Sequence, residues 1–362
     1  MSIRTRTALA VVGLIVASCG GGDGSDATTT TVDDSTETST TPTQTLTVIS
    51  HDSFAGGVTV DTFATFTADT GITVEVLPAG DAGSMINQAI LTADNPIADV
   101  LFGIDDTFLS RALNAGVFSP YESPLLADVP DDLELDPQHR VTPIDRGDVC
   151  LNYDIDYFSD GLTPPINLEQ LTNAEYADLL VVESPATSSP GLAFLLSTIA
   201  TFGEDGWQDY WRALVDNGVR VVSDWDTAYY AESTWWGGDR PLVVSYASSP
   251  PAEVLFSDPP VDEAITGVID EGCYGQIEFA GVLAGSGNET AAGMLIDFML
   301  SPEFQSRIPL TWFVFPANET VPLPDEFVEY TVIPASPNRL NPDLLEENRE
   351  RWIEEWTEIV LP

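Results

Sequence analysis

Apolar side chains along this chain come in short uninterrupted runs, separated by stretches in which they recur every third or fourth place. Leu46 to Ser50, Ile72 to Leu77 and Asp99 to Ile104 are runs of the first kind and predict buried strands. Between them, Thr59 to Ala68 spaces Val60, Phe63 and Phe66 as one face of a helix, and Ser84 to Thr92 does the same with Met85, Ile86, Ala89 and Ile90. Such a β-α-β-α-β alternation predicts a mainly parallel sheet covered by helices on both faces.

The Pro- and Asp-rich stretch from Pro120 to Pro143 reads as a surface loop, after which the alternation restarts. Strands are predicted at Val149 to Tyr153, Leu179 to Glu183, Val219 to Val222 and Pro241 to Tyr246. Helices are predicted at Pro190 to Phe202, where Ser188, Ser189 and Pro190 form a start signal, and at Gly206 to Asn217. Beyond Gly272 come a strand at Gln276 to Val282, a helix at Glu289 to Leu300 and a short helix at Pro302 to Ile308. The tail, Pro342 to Val360, predicts a helix with Leu344, Leu345, Trp352, Ile353, Trp356 and Ile359 as its buried stripe. The expected architecture is α/β with two lobes and a ligand cleft between them. Lobe 1 is expected at 45–147 and again at 276–330, lobe 2 at 148–275, and a C-terminal helix packing on the lobes at 331–362.

The first residues change the picture from a fold to a location. Arg4 and Arg6 precede the apolar run Ala8 to Val16, and the small residues Ala17 and Ser18 precede Cys19. This order predicts a lipoprotein signal peptide over 1–18, with a diacylglyceryl group on Cys19 anchoring the mature chain to the cell membrane from outside. Residues 19–44 are mostly Gly, Asp, Ser and Thr and predict a disordered tether.

The chain carries 58 acidic against 12 basic residues, all of the latter Arg, for a formal charge of −46. A field of that sign argues against nucleic acid or anionic lipid as a partner; it would favour a cationic ligand, but the acidic residues are scattered over surface-like positions and read first as a solvation or salt-tolerance trait and only secondarily as steering. Cys150 and Cys273 remain once Cys19 is set aside, and export makes them a candidate disulfide. The sequence holds only two histidines, His51 and His139, and none of the HExxH, GxSxG, Walker or paired CxxC patterns, so an enzyme is not expected, nor a resident cofactor or metal. What stands out is aromatic: Trp225, Tyr229, Tyr230, Trp235 and Trp236 precede the run Ser245-Tyr246-Ala247-Ser248-Ser249-Pro250, and Trp312 follows. Rings of this kind stack on a flat cationic ligand. Adjacent tyrosines also ligate ferric iron in some exported binding proteins, but helical neighbours point about 100° apart.

The segments His51-Asp52-Ser53-Phe54, Ala98 to Asp105, Thr187 to Leu192, Val244 to Pro250, Phe298 to Gln305 and Trp352 to Trp356 resemble the thiamine-binding subunits of bacterial ABC importers, within the type II periplasmic binding-protein fold. The resemblance runs from Leu46 to the C-terminus. It implies ligand contacts at Asp81 and Ala82, Ser188 and Ser189, Trp225, and Tyr246, Ala247, Ser248, Ser249 and Pro250, with Asp52, Asp105, Tyr229 and Trp312 in a second rank. Trp225 and Tyr246 would face the ligand rings, Asp81 would offset the thiazolium charge, and the helix start at Ser188-Ser189 would take a hydroxyl or phosphate tail. The resemblance also places Cys150 and Cys273 on strands near the hinge. Implied partners are thiamine or its phosphates, a membrane permease and its ATPase, with the binding protein itself a monomer. Alternatives are another organic cation, an aminophosphonate or ferric iron as ligand, or a surface sensor. His51 and Ala82 depart from the family pattern, where Tyr and Gly are usual.

Overall fold

The computed structural model describes residues 44–257 and 259–361. The predicted signal peptide, Cys19 and nearly all of the tether lie outside the described residues. Among the described residues ten strands form one sheet: β1 (Thr45–Ser50), β2 (Thr73–Pro78), β3 (Val100–Asp105), β4 (Phe118–Ser119), β5 (Thr142–Asp154), β6 (Leu180–Glu183), β7 (Arg220–Val222), β8 (Leu242–Tyr246), β9 (Thr266–Leu283) and β10 (Phe315–Pro316). The order β2-β1-β3-β9-β5-β8-β6-β7 resolves into two halves. β1 runs parallel to β2 and β3, and β6 runs parallel to β7 and β8. β9 and β5 are antiparallel to each other and to their outer neighbours β3 and β8, and they join the halves.

The helices are α1 (Asp52–Gly57), α2 (Ala64–Thr70), α3 (Ala82–Leu91), α4 (Asp106–Ala115), α5 (Ser189–Phe202), α6 (Trp207–Asp216), α7 (Pro250–Phe256), α8 (Glu289–Leu300), α9 (Pro302–Gln305), α10 (Ile308–Thr311), α11 (Asp325–Tyr330) and α12 (Pro342–Val360). None of the described helices is long and apolar enough to cross a membrane. The predicted helices over 289–300 and 342–360 match α8 and α12 end for end.

Three expectations change. β5 and β9 are much longer than the strands predicted at Val149 to Tyr153 and Gln276 to Val282, because both cross from one half of the sheet to the other and change their inward face at bulges. Val60 lies in a turn and is 93% exposed, so the helix predicted from Thr59 begins later, as α2, and buries Phe63 and Phe66 alone. In α12, Leu344 is exposed and Arg349 is buried instead. Arg349 Nη1 donates to the carbonyl of Thr107 (3.1 Å) and to Ser110 Oγ (3.0 Å) on α4, while Trp356 meets Trp211 of α6 edge to face at 5.4 Å. The C-terminal helix thus holds helices of both halves.

Cys150 on β5 and Cys273 on β9 are joined Sγ to Sγ across a sequence separation of 123 residues. The bond lies at the bulge where the β5–β9 register shifts between Val149 and Leu151, so it pins the two connecting strands to one another. A cross-link closing so long a loop stabilises chiefly by restricting the unfolded chain, typically by about 2–5 kcal/mol.

Candidate functional site

A cleft of about 740 Å³ opens between the two halves of the sheet. One wall comes from the turn after β1 and from α1, where His51, Asp52, Ser53 and Phe54 line it, with Asp81 at the start of α3 and Phe102 on β3. The opposite wall comes from the start of α5, the π-helical turn Thr227–Glu232 with Trp225 just before it, and the end of β8 running into α7. Asp145 on β5 and Glu278 on β9 form the floor, and Trp312, Phe313 and Val314 close one end.

Local rules explain why these groups sit there. Asp81 caps α3, with Oδ1 accepting from the Ala82 amide at 2.8 Å, and its Oδ2 reaches across the cleft to accept from the Trp225 amide at 3.2 Å. Burial pushes the Asp81 carboxyl above its ordinary value, against the pull of His51 and of those two amides. Trp225 stacks on Tyr229 with centroids 4.8 Å apart, and its indole N–H donates to Ser245 Oγ (3.0 Å), which pairs with Ser249 Oγ at 2.9 Å. Trp312 is fixed by its N–H to the Phe54 carbonyl (3.1 Å) and by stacking on Phe54 at 4.8 Å. His51 Nδ1 accepts from the Phe54 amide (3.2 Å) as the cap of α1, which places the imidazole proton on Nε2, 3.5 Å from Glu278 Oε1. Burial lowers the imidazole's proton affinity, and the carboxylates Glu278, Asp81 and Asp226 more than restore it. The ring rests on Gly103, whose φ of +95° and lack of a Cβ leave room for it.

Of the residues expected to contact the ligand, Asp52, Asp81, Ser189, Trp225, Tyr229, Tyr246, Ser249 and Trp312 line this cleft, together with His51 and Tyr230. The remainder stand behind it. Ala82, Ala247 and Pro250 are buried, Ala247 against the Cys150–Cys273 bridge, and Ser248 Oγ donates to the Phe313 carbonyl at 2.6 Å. Asp105 is fully buried as the cap of α4, accepting from the Phe108 amide, from Thr107 Oγ1 and from Gln276. Ser188 is the cap residue of α5 by backbone conformation, yet its Oγ makes no capping bond, and both Ser188 Oγ and Ser189 Oγ are buried without a hydrogen-bond partner.

Sequence reasoning passed over Asp145, Asp226, Glu278, Phe102 and Phe256. Each is an ordinary residue of a strand, turn or helix end, and only the pairing of β5 with β9 and the closure of the halves gathers them. The tyrosine pair separates: Tyr229 is buried with its hydroxyl donating to Glu253 Oε1 (2.9 Å), while Tyr230 is 48% exposed and the two rings meet edge to face. Burial, then neighbouring carboxylates, push the Tyr229 phenol well above its ordinary value and Tyr230 to about 12, so neither supplies a phenolate readily at neutral pH.

The two walls already touch. Besides the Asp81–Trp225 bond, the Gly83 amide donates to the Thr187 carbonyl at 2.8 Å, and Ser53 Oγ to Asp226 at 3.4 Å. A Cβ on Gly83 would sit 2.7 Å from the Ala186 carbonyl oxygen and 2.9 Å from that of Thr187, both immovable backbone. Gly83→Ala is therefore expected to wedge the halves apart. Small-angle scattering should report a larger radius of gyration, while the melting temperature falls by only a few degrees because opening relieves the clash.

Five carboxylates line the cleft (Asp52, Asp81, Asp145, Asp226 and Glu278), and among the described residues that line it there is no arginine. Two α/β halves joined by two long strands, with an aromatic, acidic cleft between them, define a two-lobed periplasmic binding protein of type II. The model of the bacterial extracellular solute-binding protein family matches residues 95–353, and the chain belongs to that family. It is 31% identical over 321 residues to the thiamine-binding periplasmic protein of Escherichia coli K12, covering 87% of this chain and 93% of that one. The protein of the same name from Brucella suis is 28% identical over 316 residues, covering 86% and 91%. Among solved structures, a periplasmic thiamin binding protein superposes with a TM-score of 0.76 at 27% identity, covering 87% of this chain and 96% of its own. Iron-bound HitA from Pseudomonas aeruginosa shares the fold, with a TM-score of 0.70 at 20% identity over 87% of this chain and 99% of its own. These relatives are solute-binding proteins rather than enzymes.

Proposed function

We propose that this protein captures thiamine outside the cytoplasm and hands it to the permease of an ABC importer, whose ATPase drives uptake. The observation that carries the reading is the cleft lining: indole and phenol rings for a flat aromatic ligand, and an acidic lining of five carboxyl groups without an arginine for a cationic one. Trp225 and Tyr246 are the platform for the ligand rings, and Asp81 faces the thiazolium charge. The start of α5 takes the hydroxyethyl tail, with Ser189, which lines the cleft, offering its unpartnered hydroxyl to a polar group and Ser188 standing behind it. The same lining disfavours an aminophosphonate or a diphosphate, whose charge would face carboxylates at every side. The tyrosine geometry disfavours ferric iron. The protein works as a monomer held to the membrane by lipid on Cys19, the lobe boundaries follow 45–147, 148–275 and 276–330, and closure of the two lobes is the signal the permease reads.

Calorimetric titration of the purified protein with thiamine, thiamine monophosphate and thiamine diphosphate tests this. Saturable one-to-one binding is expected, tightest for thiamine and weakening with each added phosphate. An absence of heat with all three would overturn the reading.

A further inference from the structure

The floor of the cleft holds an arrangement that ring stacking does not use. Asp145 and Glu278 are paired positions in the β5–β9 register, so their side chains stand side by side facing the ligand space. Asp145 is 3% exposed and its Oδ1 has no hydrogen-bond partner, and the Glu278 side chain is 14% exposed. Two carboxyl groups placed in register on adjacent strands repel if both are ionised, so one of them keeps a proton. Their surroundings decide which. His51 presents Nε2–H toward Glu278 Oε1 at 3.5 Å, because Nδ1 is occupied by the Phe54 amide, so a donor stands beside Glu278 while Asp145 Oδ1 has none. Burial, then the charge of Glu278, drives the Asp145 carboxyl far above the ordinary range. The floor therefore offers one O–H donor beside one carboxylate acceptor.

We infer that Asp145 and Glu278 together read the hydrogen-bonding edge of the ligand's aminopyrimidine, Asp145 donating to a ring nitrogen and Glu278 accepting from the neighbouring exocyclic amino group. A ring edge with an acceptor next to a donor is the complement of this pair, and Trp225 and Tyr246 flank the floor where such a ring would lie. The assignment rests on the thiamine reading and adds to it. The thiazolium charge is met at the walls, and the chemical identity of the second ring is read at the floor.

The test uses an analogue in which the exocyclic amino group is replaced by a carbonyl, which turns the donor into an acceptor and puts a hydrogen on the adjacent ring nitrogen. Calorimetry is run with thiamine and this 4-oxo analogue on the wild type, on Asp145→Leu, which removes the donor at nearly constant shape, and on Glu278→Gln. The wild type should prefer thiamine by at least about 30-fold, since a site built for a hydrogen-bonding edge leaves its own polar groups unpaired with the wrong one. Each variant should narrow that ratio by about tenfold or more. Because each substitution also relieves crowding between carboxyls, melting temperatures should hold or rise, which separates a lost reading group from a damaged fold. Thiamine binding with a preference unchanged within about twofold in both variants overturns the assignment alone. No binding of thiamine by the wild type overturns the thiamine reading and this assignment with it.

Discussion

Trp225→Ala weakens thiamine binding on the order of 100-fold, or about 3 kcal/mol, as the expected result of losing one stacking face and its cation–π attraction together. The size follows from how the indole is held. It is backed by Tyr229 on one side and pinned at its N–H by Ser245, so it enters the complex already ordered and little of its contribution is spent on immobilising it. The truncation leaves the backbone bond from residue 225 to Asp81 in place, so the lobes keep that contact and the loss reports on the ring. Trp225→Phe, which keeps a stacking face but not the bond to Ser245, should fall between, near tenfold. Trp236 serves as the control. It does not line the cleft, its indole N–H donates to Glu253, and Trp236→Ala should leave affinity within about twofold. Calorimetry is the proper readout, because removing a tryptophan alters the fluorescence whatever happens to binding. Equal affinities for wild type and Trp225→Ala would remove Trp225 from the site.

Stability should rise as the pH is lowered from 8 to about 5, opposite to the behaviour of proteins held by ionised carboxylates. Asp105 is raised to about 6, by burial first and despite bonds from Gln276 and Thr107, and Asp106 to about 7, by burial and then by the charge of Asp105. Asp145 and Glu183 are pushed further in the same direction by burial. In the unfolded chain these groups ionise near pH 4, whereas in the folded protein they hold their protons to a higher pH. Between those limits the folded state binds more protons, so raising the pH through about 4 to 7 removes stability. Relief of the overall negative charge at lower pH acts in the same sense. The expected gain at pH 5 over pH 8 is a few kcal/mol, visible as a rise in melting temperature of several degrees in about 0.5 M salt, where general repulsion is screened. Asp105→Asn should flatten the profile between about pH 4 and 6. A melting temperature that climbs steadily from pH 5 to pH 8 would contradict this account.

How much of the site was legible depends on how each residue announces itself. Trp225 and Tyr229 are large rings in polar surroundings, so type and position mark them without a structure, whereas Asp81 is marked by the family resemblance alone. Asp145 and Glu278 carry no such mark. Each is one of many carboxylates in an acidic chain and follows no motif, and they matter only because β5 and β9 bring them side by side. Ser248 and Pro250 mislead in the other direction: they share a run with Tyr246 and Ser249, but the turn into α7 directs Ser248 to the Phe313 carbonyl and buries Pro250.

The periodicity of apolar positions by itself determined most of the longer strands and helices, down to both ends of α8 and α12, because burial of one face is a local demand that a short window of sequence records, although it left out α1 and α4. Composition determined an acidic chain, since net charge is a sum that folding does not change. Only the tertiary structure decided that β5 and β9 run through both halves, that Arg349 and not Leu344 faces inward, and that two carboxyl groups meet at the cleft floor. Those are consequences of strand register and helix packing, set between segments more than a hundred residues apart, and no local pattern carries them.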